Sequence, residues 1–201
     1  AVKMIKKSIN DKHSDKIEPM TLQALARKAP STVGPIAGHC ELNASGAGAT
    51  FCAQISDVEI DPETGHTAPI RHTVILDAGR AISPDYVEGQ MQGGAVQGIG
   101  WALNEEYIYS DEGKLLNTGF LDYRMPVASD VPMIDTLIVE VPNPNHPYGV
   151  RGVGEPPLVS APAAVANAVE NALGLTMNSL PLSPPKVLEA LEATETPLAA
   201  E

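Results

Sequence analysis

The chain has 201 residues and a formal net charge of −12 at pH 7. This length is sufficient for one sizeable hydrophobic core, or for one lobe of a larger assembly. The acidic balance argues against a nucleic-acid partner, because proteins that bind nucleic acids carry a basic surface that neutralises phosphates.

The first part of the chain is predicted to be a basic segment with a short helix. Seven of the 13 basic residues lie within the first 30 residues, so residues 1–29 form either a solvated tail or a patch that docks on an acidic partner. Residues 20–29 have the spacing of a short amphipathic helix that ends before Pro30.

The middle of the chain predicts a β-hairpin. Residues 51–60 are an apolar segment, and Asp61-Pro-Glu-Thr-Gly65 places proline and glycine where a tight turn requires them. Residues 66–76 then have the pattern of the return strand. Pro69 is expected at the edge or the start of that strand, because proline has no N–H to donate to a sheet. A further strand is expected over residues 135–141.

Three helices are predicted to accompany these strands. Residues 84–103 form the first helix, with Pro84 tolerated in its opening turn. Ser160 is expected to cap the second helix, which ends at Gly174, and residues 183–191 form the third. Strand pairs mixed with helices, without regular β-α-β alternation, predict an α+β fold with a mixed sheet and helices packed on it.

The end of the chain and its two cysteines offer little chemistry of their own. Residues 192–201 are small and acidic and are expected to be a mobile tail. Cys40 and Cys52 show no CxxC or Cys/His spacing, so we expect neither zinc nor an iron–sulfur cluster on this chain alone. With no disulfide framework, secretory signal or long apolar run, the sequence predicts a soluble, cytoplasmic protein without membrane contact.

The helix predicted over residues 84–103 is rich in glycine. Each interior glycine disfavours a helix by roughly 1 kcal/mol relative to alanine, so the four between Gly93 and Gly100 require an explanation. Helical spacing puts five residues on one face: Gln90, Gly93, Gly94, Gln97 and Trp101. Two amides on a smooth surface suit the edge of a heterocycle or a phosphate oxygen, since an amide both donates and accepts. The same face equally suits close packing on another element.

Residues 149–157 read Gly-Val-Arg-Gly-Val-Gly-Glu-Pro-Pro and contain a single carboxylate, Glu155. The glycines and prolines predict a rigid loop, with the residue before Pro156 in an extended conformation. A carboxylate held among apolar residues tends to have a raised pKa, which a general base near neutral pH requires. A surface loop with a merely solvated glutamate is the alternative. Arg151 either steers an anionic substrate or pairs with an acidic neighbour.

Four motifs, in their order along the chain, resemble a known family. They are Asp77-Ala-Gly-Arg-Ala-Ile-Ser-Pro-Asp-Tyr-Val-Glu-Gly-Gln90, Gln92-Gly-Gly-Ala-Val-Gln-Gly-Ile-Gly-Trp-Ala-Leu-Asn-Glu-Glu106, Phe120-Leu-Asp-Tyr-Arg-Met-Pro126 and Gly152-Val-Gly-Glu-Pro-Pro-Leu158. The chain resembles the C-terminal part of the molybdenum-binding large subunit of the xanthine dehydrogenase / aldehyde oxidase family, particularly carbon-monoxide-dehydrogenase-like large subunits. The resemblance implies that residues 30–191 form a molybdopterin-binding C-terminal lobe.

The same resemblance implies an oxidoreductase that hydroxylates an electron-poor carbon with a water-derived oxygen. Glu155 matches the glutamate that serves the family as general base. Cofactor contacts are implied for five residues: Gln90, Gly93, Gly94, Gln97 and Gly154. The cofactor would be molybdopterin in its cytosine dinucleotide form, whose dithiolene holds the molybdenum without a protein ligand. FAD and 2Fe-2S clusters are expected on partner subunits.

The family's large subunit is several times longer than this chain, which implies activity only with the remainder of that subunit and with iron–sulfur and flavin subunits. The chain would then be a split subunit, a fragment or an isolated domain. A non-catalytic interaction module, or an incomplete lobe of the same fold, is the alternative function. A stand-alone hydrolase would need a second acid beside Glu155, and the local sequence offers none. The substrate stays open, since family members act on carbon monoxide, aldehydes, purines and N-heterocycles.

Overall fold

The computed structural model describes residues 21–32, 34, 37–41 and 48–195. Its contacts separate the chain into two compact units, Ala1–Asn43 and Ala44–Glu201, and each is described by itself. Most of the basic segment and the last residues of the acidic tail lie outside the described residues. The predicted limits of the cofactor-binding lobe stay a prediction.

In the first unit, a short helix α1 spans Leu22–Lys28 and continues into a 3-10 turn, Ala29–Ser31. The Thr21 hydroxyl accepts a hydrogen bond from the backbone N–H of Ala24 at 3.2 Å, which caps the helix. The helix therefore lies inside the range of 20–29 that the sequence pattern indicated.

In the second unit, strands β1 (Cys52–Ile60) and β2 (Thr67–Asp77) pair in an antiparallel hairpin. In the turn between them, the Asp61 carboxylate accepts hydrogen bonds from the Glu63 backbone N–H at 2.9 Å and the Thr64 hydroxyl at 2.8 Å. These hydrogen bonds lower the pKa of Asp61, and the one from the Thr64 hydroxyl has the largest effect. Gly65 adopts a φ of 70°, which glycine tolerates. The predicted hairpin and its turn are confirmed.

Strand β3 (Ile134–Val139) pairs parallel to β2, which gives a mixed three-stranded sheet in the order β1-β2-β3. The pairing with β3 starts only at His72, so the first residues of β2 have a partner strand on one side alone. Pro69 lies in this stretch, opposite an irregularity in β1. The prediction that Pro69 lies at an edge is confirmed, and the sheet tolerates its missing N–H there.

Besides a 3-10 turn at Pro147–Gly149, the described part of the second unit contains three α-helices. They are α2 (Pro84–Leu103), α3 (Pro156–Leu173) and α4 (Pro184–Glu195). The bounds of α2 agree with the prediction, and Gly174 ends α3 with a φ of 68°. The last helix is longer than predicted and includes the first four residues of the expected tail. Among the described helices, none combines the length and apolar character needed to cross a membrane.

The start of α3 differs from the prediction. The helix begins at Pro156, and the predicted cap Ser160 lies within it, where its hydroxyl donates to the Pro156 carbonyl at 3.0 Å. The two leading prolines are tolerated because N–H groups in a first turn have no partner within the helix. Glu155, rather than Ser160, is therefore the N-cap residue.

The core lies between one face of the sheet and helices α2 and α3. Val74 and Leu76 of β2 are fully buried and point to this face. The helices contribute further buried residues: Met91, Ala95, Ile99, Val165 and Val169. Alternation along β1 leaves every second residue exposed, on the other face of the sheet. The predicted α+β architecture, a mixed sheet with helices packed on it, is confirmed.

Candidate functional site

Glu155 lies at the beginning of α3, on the wall of an open cleft of about 670 Å³. Cys52, Gly154 and Ser160 also line this cleft. The Glu155 carbonyl accepts hydrogen bonds from the backbone N–H groups of Leu158 at 3.0 Å and Val159 at 3.1 Å. Its carboxylate makes no capping hydrogen bond, and no side chain in the described part of the chain pairs with it. The carboxylate is therefore exposed and available.

Two expectations about Glu155 were wrong. Its backbone is in the right-handed helical region, with φ −85° and ψ −33°, although a following proline disfavours that region. The reason is that its carbonyl already accepts the first hydrogen bonds of the helix. The apolar neighbours along the chain also do not bury the side chain, which is exposed; Val159, on the same cleft, is itself 74% exposed.

Arg151 forms a nearly buried ion pair at the end of β2. Its Nε lies 3.1 Å from an Asp77 carboxylate oxygen, and only 12% and 11% of the two side chains are exposed. The guanidinium also donates to the carbonyls of Val141 at 3.2 Å and of Ala49. Asp77 accepts from the backbone N–H groups of Gly79 and Val141. The pairing interpretation of Arg151 is thus confirmed, and its role is to hold the loop before α3.

Helix α2 contacts α3 closely at two glycines, Gly94 of the predicted face and Gly98 outside it. A Cβ added at Gly94 would lie 2.9 Å from the Pro157 Cβ, and one at Gly98 would lie 2.5 Å from the Ala161 Cβ. Gly93, by contrast, has nothing within 4 Å of its Cβ position. Close packing, the alternative left open by the sequence, is therefore confirmed for Gly94. The cofactor contacts of Gly93 and Gly94 stay a prediction.

Gln90 lies beside the loop that leads to Glu155. A Cβ added at Gly154 would lie 3.2 Å from Gln90 Oε1, and the Gln90 side chain is exposed at a small cleft of about 210 Å³. The fold thus brings together three of the predicted site residues, Gln90, Gly154 and Glu155. Gln97 is also exposed but lies two turns further on, about 10 Å along the helix axis.

A partly buried polar network connects the sheet to the start of α3, and sequence reasoning missed it. The Gln54 amide nitrogen donates to the Pro157 carbonyl and, at 2.7 Å, to the Ser160 hydroxyl. Its amide oxygen lies 2.6 Å from Nε2 of His72, which is fully buried. The available signal was a pair of polar residues at inward-facing positions of two neighbouring strands. To recognise that the two meet, one must know the register of those strands.

The burial of His72 predicts a pH dependence of stability. Loss of hydration lowers the pKa of His72 below its ordinary value of 6.5. Below about pH 6.5 the unfolded chain therefore binds a proton that the folded chain does not. The free energy of unfolding should fall as the pH falls from 6.5 towards the folded-state pKa, by up to about 1.4 kcal/mol per pH unit.

Urea unfolding at pH 7.5 and at pH 5 measures this effect. The difference in the free energy of unfolding between pH 7.5 and pH 5 should shrink in His72→Gln. It should stay unchanged in His66→Gln, a control on an exposed histidine. Equal pH dependence in wild type and His72→Gln would contradict the expected shift.

Comparison with known proteins assigns the chain to a family. A family model for a molybdopterin cofactor-binding domain matches residues 3–132. The chain therefore belongs to the molybdopterin cofactor-binding family of molybdenum hydroxylase large subunits, as its motifs indicated. The matched range includes Gln90 and ends before Glu155.

Two relatives illustrate the similarity. Subunit gamma of the 6-hydroxypseudooxynicotine dehydrogenase complex of Paenarthrobacter nicotinovorans is 38% identical over 65% of this chain and 17% of that protein. The putative xanthine dehydrogenase molybdenum-binding subunit XdhA of Escherichia coli K12 is 34% identical over 85% of this chain and 23% of that protein. The chain thus spans only about a fifth of the length of such relatives.

Solved structures share the fold. Quinoline 2-oxidoreductase from Pseudomonas putida 86 is 39% identical and superimposes with a TM-score of 0.64, covering 67% of this chain and 18% of its own. Carbon monoxide dehydrogenase from Oligotropha carboxidovorans is 30% identical with a TM-score of 0.67, covering 72% of this chain and 18% of its own.

Proposed function

We propose that this chain provides the general base and part of the cofactor-binding surface of a molybdenum hydroxylase. The reaction is the hydroxylation of an electron-poor carbon with a water-derived oxygen. One observation carries the proposal: the amide of Gln90 lies against Gly154, the chain neighbour of Glu155, where α2 meets the start of α3, and the Glu155 carboxylate is exposed on the wall of an open cleft.

The residues around Glu155 are suited to a pterin cofactor. The Cβ positions of Gly93 and Gly152 have open space around them, so a flat ring system can approach the backbone closely. Gln90 offers both a donor and an acceptor to the edge of a heterocycle. Within the described ranges no group of three His, Cys, Asp or Glu residues could hold a metal ion. In this proposal the molybdenum is held by the dithiolene of its own cofactor.

Each residue has a separate task in this proposal. When bound, the molybdenum cofactor supplies the water-derived oxygen and takes up two electrons from the substrate. The Glu155 carboxylate accepts the proton that this step releases, on one of its oxygens. Because the cleft is open, Glu155 can then pass the proton to solvent. Gln90 would hold the pterin edge and so fix the bound cofactor relative to Glu155.

The proposal includes partners, because the chain spans about a fifth of its relatives. The remainder of the large subunit would complete the cofactor site and select the substrate. Iron–sulfur and flavin subunits would carry the electrons away. The cytosine dinucleotide form of molybdopterin and a cytoplasmic location belong to the same proposal.

Gln90→Ala is expected to lower the molybdenum content of the assembly several-fold, because the variant lacks the amide that contacts the pterin. The measurement is elemental analysis of the chain purified together with its partner subunits. Gln92→Ala is the matched control, since Gln92 lies on the same helix but donates to the Ile134 carbonyl of β3 at 3.5 Å.

Two outcomes would speak against the proposed site. An unchanged molybdenum content in Gln90→Ala would remove the contact role of Gln90. A metal-free chain that purifies alone, without pterin or partner subunits, would favour the alternative of a non-catalytic interaction module.

A further inference from the structure

We propose that Gln54 is a positioning residue for Glu155. Its side chain ties the first turn of α3 to the sheet, and so fixes the backbone from which the Glu155 carboxylate extends into the cleft. The inference rests on the proposed role of Glu155 as general base, and it adds a residue of β1 that lies more than 100 positions away along the chain.

The orientation of the Gln54 amide is set by its surroundings. The Pro157 carbonyl can only accept a hydrogen bond, so the amide nitrogen of Gln54 must face it. The reverse orientation would bring two oxygen atoms together at hydrogen-bond distance. The second hydrogen of the same nitrogen goes to the Ser160 hydroxyl, 2.7 Å away. The two short hydrogen bonds of the amide nitrogen therefore both go to α3, and its remaining contact, with Cys52 Sγ on the same strand, is longer at 3.8 Å.

The other side of the amide is fixed by His72. Because the Gln54 oxygen accepts, Nε2 of His72 must carry the proton of the neutral ring. The His72 ring is fully buried, and its Nδ1 has no partner among the described residues. The ring is thus held by packing and by one hydrogen bond, and it acts as a rigid support behind Gln54.

The first turn of α3 depends on this support. Pro156 and Pro157 have no N–H groups, so the turn lacks two donors that could bond to neighbouring parts of the chain. Gln54 contacts the turn at the Pro157 carbonyl and at Ser160, and Ser160 in turn donates to the Pro156 carbonyl at 3.0 Å. The hydrogen bonds therefore run from the sheet to the residue that directly follows Glu155.

The proposal can be tested on the whole chain by hydrogen exchange, without any assay of activity. The N–H groups of Leu158 and Val159 both bond to the Glu155 carbonyl, so their exchange rates report whether that backbone is fixed. In Gln54→Leu both amides should exchange at least tenfold faster. The amide of Val169, further along the same helix and fully buried, should keep its rate.

Two further variants separate positioning from general destabilisation. Ser56→Ala is the matched control, because Ser56 lies on the same strand with a buried hydroxyl that has no partner among the described residues. It should leave the two reporter amides unchanged. Gln54→Glu keeps the shape and the acceptor but loses both donors to α3, so it should accelerate the same amides as Gln54→Leu does.

In the molybdenum-loaded assembly, Gln54→Leu should lower kcat about 10- to 100-fold with KM and molybdenum content unchanged, because a small displacement of a reacting group has such an effect. Unchanged exchange at Leu158 and Val159, or a kcat within twofold of wild type, overturns the positioning role. Faster exchange in Gln54→Leu together with full activity in Glu155→Gln would instead support the structural link and overturn the proposed base.

Discussion

Replacing Glu155 with glutamine is expected to abolish turnover of the molybdenum-loaded assembly and to leave its molybdenum content unchanged. Glutamine has nearly the same size but cannot accept a proton, and a positioned general base contributes about 10²- to 10⁴-fold to a rate. The fold should tolerate the change, because the Glu155 side chain is exposed and makes no capping hydrogen bond. Steady-state oxidation of a heterocycle or aldehyde with an artificial electron acceptor gives kcat, and elemental analysis gives the metal content.

The matched control for this experiment is Glu189→Gln, on the exposed side of α4. It removes the same charge and should keep the rate of the wild type. Glu155→Asp keeps a base but withdraws it by one methylene, so it should retain a small part of the activity. Retention of more than a tenth of the wild-type kcat in Glu155→Gln would mean that another group takes the proton.

Gly98→Ala and Gly93→Ala are expected to change stability in opposite directions, although both place the same residue in the same helix. At Gly98 the new methyl group would lie 2.5 Å from the Ala161 Cβ and 2.7 Å from the Leu158 carbonyl oxygen. Backbone and a neighbouring Cβ cannot move away easily, so we expect a loss of about 3 kcal/mol in the free energy of unfolding. At Gly93 the position is open, and alanine should add up to about 1 kcal/mol.

Urea unfolding of the two variants measures the difference directly. Equal midpoints would contradict the close contact between α2 and α3. Gly93→Ala also tests the predicted cofactor face, because a more stable chain that nevertheless retains less molybdenum would place the pterin against Gly93. A more stable chain with full molybdenum content would remove Gly93 from that face.

The hairpin and α2 could be predicted from the sequence because their signals are local. The turn from Asp61 to Gly65 contains its own hydrogen-bond acceptor and a glycine where φ is positive. The start of α3 could not, because the choice between a Ser160 cap and an earlier start depends on tertiary contacts with Gln54. Helix propensity depends on the local sequence and contains no information about a residue on a distant strand.

The candidate site was predicted in part. The single carboxylate and the amide face of α2 pointed to Glu155 and Gln90, and both lie at the junction of α2 with α3. The glycine face was drawn too wide, however. Neighbouring residues of a helix differ by about 100° around its axis, so Gly94 meets α3 while Gly93 faces open space. The second glycine that packs on α3 is Gly98, one turn after Gly94, and only the position of α3 shows this.

The two prolines that open α3 have a chemical consequence for the residue before them. A side chain at a helix N-cap normally accepts a hydrogen bond from the second or third backbone N–H of the helix. Here the second residue is Pro157, which has none, and the third N–H, of Leu158, is taken by the Glu155 carbonyl. The Glu155 carboxylate therefore accepts no capping hydrogen bond from its own helix. Because Pro156 and Pro157 have no N–H groups to donate, the lone pairs of the Glu155 carboxylate stay free of capping hydrogen bonds. They remain able to accept a proton from another molecule.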